Sequence, residues 1–241
     1  MAQTSNPVLS RVAAGAVHVG TSGATVTRGG VVTKTVSLLL LLLAACGWAW
    51  RSVAPTADAG PVLLTALLLS IGLGLYTTFR PQHASVTAPM YAICEGVLLG
   101  LISASFEARY PGLPRTAVLA TVGVTLAMLV AYRTGVIRVT DRFKAIVVGL
   151  TGGIFVFYLL ALAASLFGIT VPFLVQGGWV GIGFSLFVVG LASMNLALDF
   201  AAIDEAVGEA PKPLEWALAF GLLVTLVWLY LELLRLLSKR K

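Results

Sequence analysis

Long, unbroken apolar runs constrain this chain more than any other feature. Seven of them, at 36–50, 62–79, 88–106, 117–132, 145–167, 178–198 and 214–237, follow one another with only short polar stretches between. A helix needs about 20 mostly apolar residues to cross some 30 Å of hydrocarbon. Backbone groups find no water there, so a spanning segment must be a helix or part of a closed barrel. The runs show no period-two alternation, which removes the barrel. Composition agrees: 59% of the 241 residues are hydrophobic and 11% charged, against about a quarter charged in soluble domains. The expected fold is all-α, a polytopic membrane protein of seven transmembrane helices whose main partner is the lipid bilayer.

The connections are short and hold Pro55, Pro61, Pro81, Pro111, Pro114, Pro211 and Pro213 in them or at their edges. No separate soluble module fits, so the domain reading is a flexible tail at 1–30 followed by a seven-helix domain at 31–241. The tail lacks the basic start, apolar stretch and cleavage site of a signal peptide. Aromatic anchors stand near several span ends, among them Trp48, Trp50, Tyr132, Trp179 and Trp216, as interfacial belts require. Gly96 with Gly100, Gly149 with Gly153, and Gly177 with Gly181 are spaced for close helix packing. Cys46 and Cys94 both lie inside apolar runs and read as small buried hydrophobes.

The net charge of +6 is not a nucleic-acid signal, because the basic residues fall between spans and at the ends. An inside N-terminus gives the cytoplasmic face Arg11, Arg28, Lys34, Arg80, Arg133, Arg138, Arg142, Lys144 and Lys212. The outer loops then keep Arg51, Arg109 and Arg115, as the positive-inside rule demands. The tail Lys239, Arg240 and Lys241 falls outside and dissents; late charges weigh less than early ones.

Ionisable residues in apolar spans are costly and mark function by default. Arg80 closes the second span, Glu95 lies about two turns into the third, and Asp199 ends the core of the sixth, with Asp204 and Glu205 just beyond. With the N-terminus inside, Arg80, Glu95 and Asp199 share the cytoplasmic half of the bundle. Burial raises a carboxyl pKa and a nearby arginine lowers it, so such a group can act as a pH sensor or gate. An unpaired carboxylate at Asp199 or Glu95 is also a candidate transient cation site. The bland alternative is that these side chains pair among themselves or reach the interface. Glu232 stands three residues before Arg235, the spacing of a local helical pair.

Catalysis finds little support. His18 and His83 lie outside the spans, and Gly181-Ile182-Gly183-Phe184-Ser185 resembles a serine elbow only faintly, with no base and the wrong spacing. No phosphate loop, metal-ligand cluster or redox pair stands out. The expectation is a protein that is not an enzyme and has no cofactor.

The last two spans carry a resemblance. Leu198-Asp199-Phe200-Ala201-Ala202-Ile203-Asp204 leads through an acidic, proline-containing loop to Glu215-Trp216-Ala217-Leu218-Ala219-Phe220. The chain then closes with Leu229-Tyr230-Leu231-Glu232-Leu233-Leu234-Arg235-Leu236-Leu237. Together with Tyr91-Ala92-Ile93-Cys94-Glu95-Gly96-Val97-Leu98-Leu99-Gly100 and the opening Asn6-Pro7-Val8-Leu9-Ser10-Arg11, this resembles the bacterial branch of the Bax inhibitor-1 family. The resemblance implies a bacterial inner membrane, a central last helix wrapped by six others, and a calcium leak gated by pH through carboxylates on the sixth and seventh helices. Asp199 and Ile203 match the family's sixth-helix pattern, and Leu233-Leu234-Arg235 its C-terminal one. Counting back from the latter, the second aspartate's place falls on Thr225, which cannot ionise. Arg80 corresponds by location to the family's sensor-pairing arginine. The expected function is a pH-sensitive cation leak, calcium being the transported ion, gated by Asp199 with Arg80 and Glu95; Asp204, Thr225, Glu232 and Arg235 are secondary candidates. The alternative is a non-conducting regulator that binds other membrane proteins, such as a quality-control protease.

Overall fold

A computed structural model describes residues 23–56, 58–167 and 178–240. Its described part is all-α, with seven long helices: α1 (Arg28–Ser52), α2 (Ala59–Phe79), α3 (Ala84–Arg109), α4 (Leu113–Arg133), α5 (Asp141–Leu166), α6 (Trp179–Ala206) and α7 (Glu215–Ser238). Single 3-10 turns at Pro81–His83 and Lys212–Leu214 precede α3 and α7. All seven segments are long and apolar enough to cross a membrane. Burial is uneven: 56% of the apolar window of α7 lies inside the protein, against 6% for α5.

The seven segments coincide with the apolar runs, but several helices extend beyond them. α1 starts at Arg28 rather than at 36, because Thr27 caps it: its hydroxyl accepts the Gly30 N–H at 3.0 Å. Residues 23–30, expected within a flexible tail, belong instead to the folded chain. Val26 donates to the Ala210 carbonyl at 2.8 Å and Lys212 to that of Ala24 at 3.0 Å, with Thr25 bridging Pro211. α6 runs on to Ala206, well past 198, since helical hydrogen bonding is indifferent to the polarity of Asp199 and Asp204. It ends where Gly208 takes φ 81° and Pro211 follows. The remainder of the expected tail, with Arg11, His18 and the Asn6–Arg11 motif, lies outside the described residues, as does Gly177.

The chain divides into two compact units, Met1–Arg109 with Ala201–Val224, and Tyr110–Phe200 with Thr225–Lys241. In the first, α3 packs on both α1 and α2. Gly96 and Gly100 let α3 meet the α1 backbone directly: a Cβ on Gly100 would sit 2.5 Å from the Cys46 carbonyl oxygen, and one on Gly96 would overlap that of Leu42. α2 presents Ala66, Ser70, Gly74 and Thr77 to its neighbours, a stripe of small side chains; the Thr77 and Thr87 hydroxyls share a hydrogen bond from α2 to α3 at 2.7 Å. In the second unit, Val147, Ile154, Val188 and Leu191 form the core of α5 against α6, flanked by Phe143, Tyr158, Phe184, Leu198 and Trp228. Asn195 on α6 donates to Thr151 on α5 at 2.8 Å. Gly149 and Gly153, spaced like the α3 pair, have nothing within 4 Å of a Cβ.

Candidate functional site

Asp199 lies about 10 Å from the end of α6, within a membrane-spanning segment. Its Oδ2 is shielded from solvent and has no hydrogen-bond partner, and the Thr225 hydroxyl on α7 interacts with the carboxyl. The structure thus brings Asp199 together with Thr225. No ion pair reaches Asp199 among the described residues. A carboxyl so placed can be neutralised by a proton or by a cation that enters the site.

Arg80, expected to pair with Asp199, belongs to the other compact unit. It occupies the break between α2 and the following 3-10 turn (φ −129°, ψ 64°), where its side chain is exposed and makes no ion pair among the described residues. A long guanidinium at a span end reaches the polar interface more cheaply than it enters the bundle.

Glu95 is 6% exposed on α3, with the buried Tyr91 one turn before it. The Tyr91 hydroxyl and that of Ser70 on α2 lie near its carboxyl. Neither Ser70 nor Tyr91 was marked by the sequence, since isolated hydroxyls in spans are common.

Glu232 and Arg235 pair at 2.9 Å, as their spacing suggested. The structure adds Tyr158 from α5, whose hydroxyl donates to Glu232 at 3.0 Å and accepts from Arg235 at 2.7 Å. The guanidinium also sits 5.1 Å from the Tyr158 ring centre. Farther along, Lys239 donates to the Gly181 carbonyl at 3.1 Å and to Ser185 Oγ at 3.0 Å. The serine thus has a basic neighbour after all, but it is fully buried. Burial, reinforced by the nearby Arg235, holds the Lys239 ammonium below the usual lysine range.

A second polar cluster lies in the first unit. Glu215, at the start of α7, is 1% exposed and accepts from the Thr27 N–H at 2.9 Å, the Thr27 hydroxyl at 3.0 Å and Lys34. Gly30 makes room: a Cβ there would overlap the Glu215 carboxylate. Asp204 pairs with Arg28 at 2.8 Å at the surface and belongs to this clamp. No three His, Cys, Asp or Glu side chains gather to hold a metal among the described residues.

Seven apolar helices carrying carboxyls inside the spans define a multi-pass membrane protein embedded in lipid. The Bax inhibitor 1 like family matches residues 6–241, essentially the whole chain. The chain belongs to that family. No curated protein and no solved structure matches it.

Proposed function

We propose that this protein is a pH-sensitive cation leak of the cytoplasmic membrane, with calcium among its permeant ions and Asp199 at its gate. The observation that carries the reading is the buried, partnerless Oδ2 of Asp199 inside a span. An unpaired carboxylate in hydrocarbon is too costly to persist without a function or a neutralising partner. Protonation closes the site to cations and ionisation opens it, with Thr225 offering a hydroxyl oxygen beside the carboxyl. Family membership supports the same reading, and the Lys/Arg distribution supports an inside N-terminus. Arg80, exposed at the end of α2, is left to orient the chain.

The test is calcium flux into liposomes carrying the purified protein, across a pH series, for wild type and Asp199→Asn. Flux that depends on pH, and loses that dependence in the variant, is the expected result. Folded protein with no flux above empty liposomes at any pH overturns the leak and returns the regulator of other membrane proteins as the better reading.

A further inference from the structure

Glu95 belongs to the first compact unit and Asp199 to the second. Glu95 lies about 16 Å from the first residue of α3, deep in the third span. Three side chains meet there, all nine-tenths buried: Glu95 at 6%, Tyr91 at 7% and Ser70 at 3% exposure. The hydroxyls of Ser70 and Tyr91 both lie near the Glu95 carboxyl.

Ser70 behaves unlike the other hydroxyl residues of its helix. Thr65, Thr77 and Thr78 each donate to the carbonyl four residues earlier, at 2.8, 2.7 and 2.8 Å, the usual recourse of a hydroxyl inside a helix. Ser70 Oγ makes no such bond to its own helix; what stands beside it is the Glu95 carboxyl. Gly74 lets the Tyr91 ring close in, 3.4 Å from where a Cβ would stand.

Among the described residues of the first unit, no ion pair reaches the carboxyl. α1 meets this part of α3 with Leu42, Ala45 and Cys46, and α7 offers the Phe220 ring edge-on to Tyr91 at 5.1 Å. On α2 the nearest titratable groups are Tyr76, bonded to His83 at 2.7 Å, and Arg80 at the helix end. Cys94 adjoins Glu95 on α3 itself, whereas Glu107 and Arg109 stand at that helix's far end. Arg28 and Lys34 are engaged by Asp204 and Glu215, and Arg51 is at the opposite end of α1.

The donor set therefore carries one negative charge and two neutral hydroxyls. Calcium takes six to eight oxygens, and beside a single carboxylate it would leave a net positive charge buried in hydrocarbon. A proton or a monovalent alkali ion cancels the charge completely. We propose that Glu95, Ser70 and Tyr91 form a membrane-embedded site that exchanges a proton for a sodium-class monovalent cation. The site needs nothing from Asp199, and either reading can fail without the other.

A hydrophobic carbodiimide, which modifies protonated carboxyls in apolar surroundings, provides the test on the full-length protein in proteoliposomes. Labelling is mapped by mass spectrometry across a pH series in choline, sodium, lithium or calcium chloride. The expected result is an adduct on Glu95 that sodium or lithium suppresses severalfold in competition with protons, while choline and calcium at equal ionic strength do not. Ser70→Ala should keep the adduct and lose most of the sodium protection, and Glu95→Gln should remove this adduct alone. If Ser70→Ala does not fold, the wild-type competition decides. Absence of a Glu95 adduct, labelling indifferent to every alkali ion, or protection by calcium alone overturns the site. Because the readout is the adduct on Glu95, the calcium-flux result for Asp199 does not enter it.

Discussion

The approach of α3 to α1 gives the sharpest test of the packing. A methyl group at Gly96 would overlap the Leu42 carbonyl oxygen and stand 2.9 Å from the Ala45 Cβ and 3.0 Å from the Leu42 carbonyl carbon. Two of these atoms are helix backbone, so no side chain can rotate aside. Gly96→Ala must separate the two helices by roughly 1 Å, which forfeits a quarter to a half of each nearby contact. Overpacking of this kind costs about 1–3 kcal/mol, offset by up to ~1 kcal/mol of helix propensity. The net expectation is a loss of ~1–2 kcal/mol, about a 5–30-fold shift toward the unfolded state. Reversible unfolding in mixed micelles of rising dodecyl sulfate content, followed by tryptophan fluorescence, measures it. Gly149→Ala is the control, since nothing lies within 4 Å of a Cβ there, and it should be neutral to stabilising by up to ~1 kcal/mol. Equal effects of the two substitutions, or a neutral Gly96→Ala, would refute the argument.

Glu215→Gln keeps the shape of the clamp and removes the charge held by Lys34 and Thr27. It should cost ~2 kcal/mol and raise tryptic cleavage after Arg28 severalfold; unchanged cleavage would mean that the 23–27 strap is held by its backbone bonds alone. Tyr158→Phe deletes the hydroxyl shared by Glu232 and Arg235 and should cost ~1 kcal/mol in the same unfolding assay. Tyr158→Leu also removes the ring beneath the guanidinium, and should cost about 0.5–1 kcal/mol more; identical losses would rule out a contribution from the ring.

The number and order of the helices were legible because hydrocarbon leaves a long apolar run no other structure. Their ends were not. Apolarity fails at Lys34 and at Asp199, but helix α1 begins at the Thr27 cap and α6 persists until Gly208 and Pro211. Glu95 and Asp199 were conspicuous as charges within spans, and Glu232 with Arg235 as a helical pair. Their hydroxyl partners Ser70, Tyr91 and Tyr158 were hidden, because the rotation of each helix about its axis is set by packing and such residues are ordinary in membranes. The clamp of Glu215 on Lys34 joins positions 181 residues apart and leaves no local signature. For Arg80 the place at a span end was visible, but not the backbone break in which it stands exposed.

Placing a threonine rather than a second acid beside Asp199 changes what the site can do. Two adjacent carboxylates repel, so one holds a proton over a wide pH range, and together they can neutralise a divalent ion. Asp199 with Thr225 has a single titrating group and a single negative charge. A calcium ion stopping there retains half its charge in a low-dielectric medium and is held weakly. Conduction needs binding strong enough to admit an ion and weak enough to release it. In the proposed function, a lone carboxylate with a hydroxyl beside it therefore suits passage better than storage, with protonation of that one group enough to close the route.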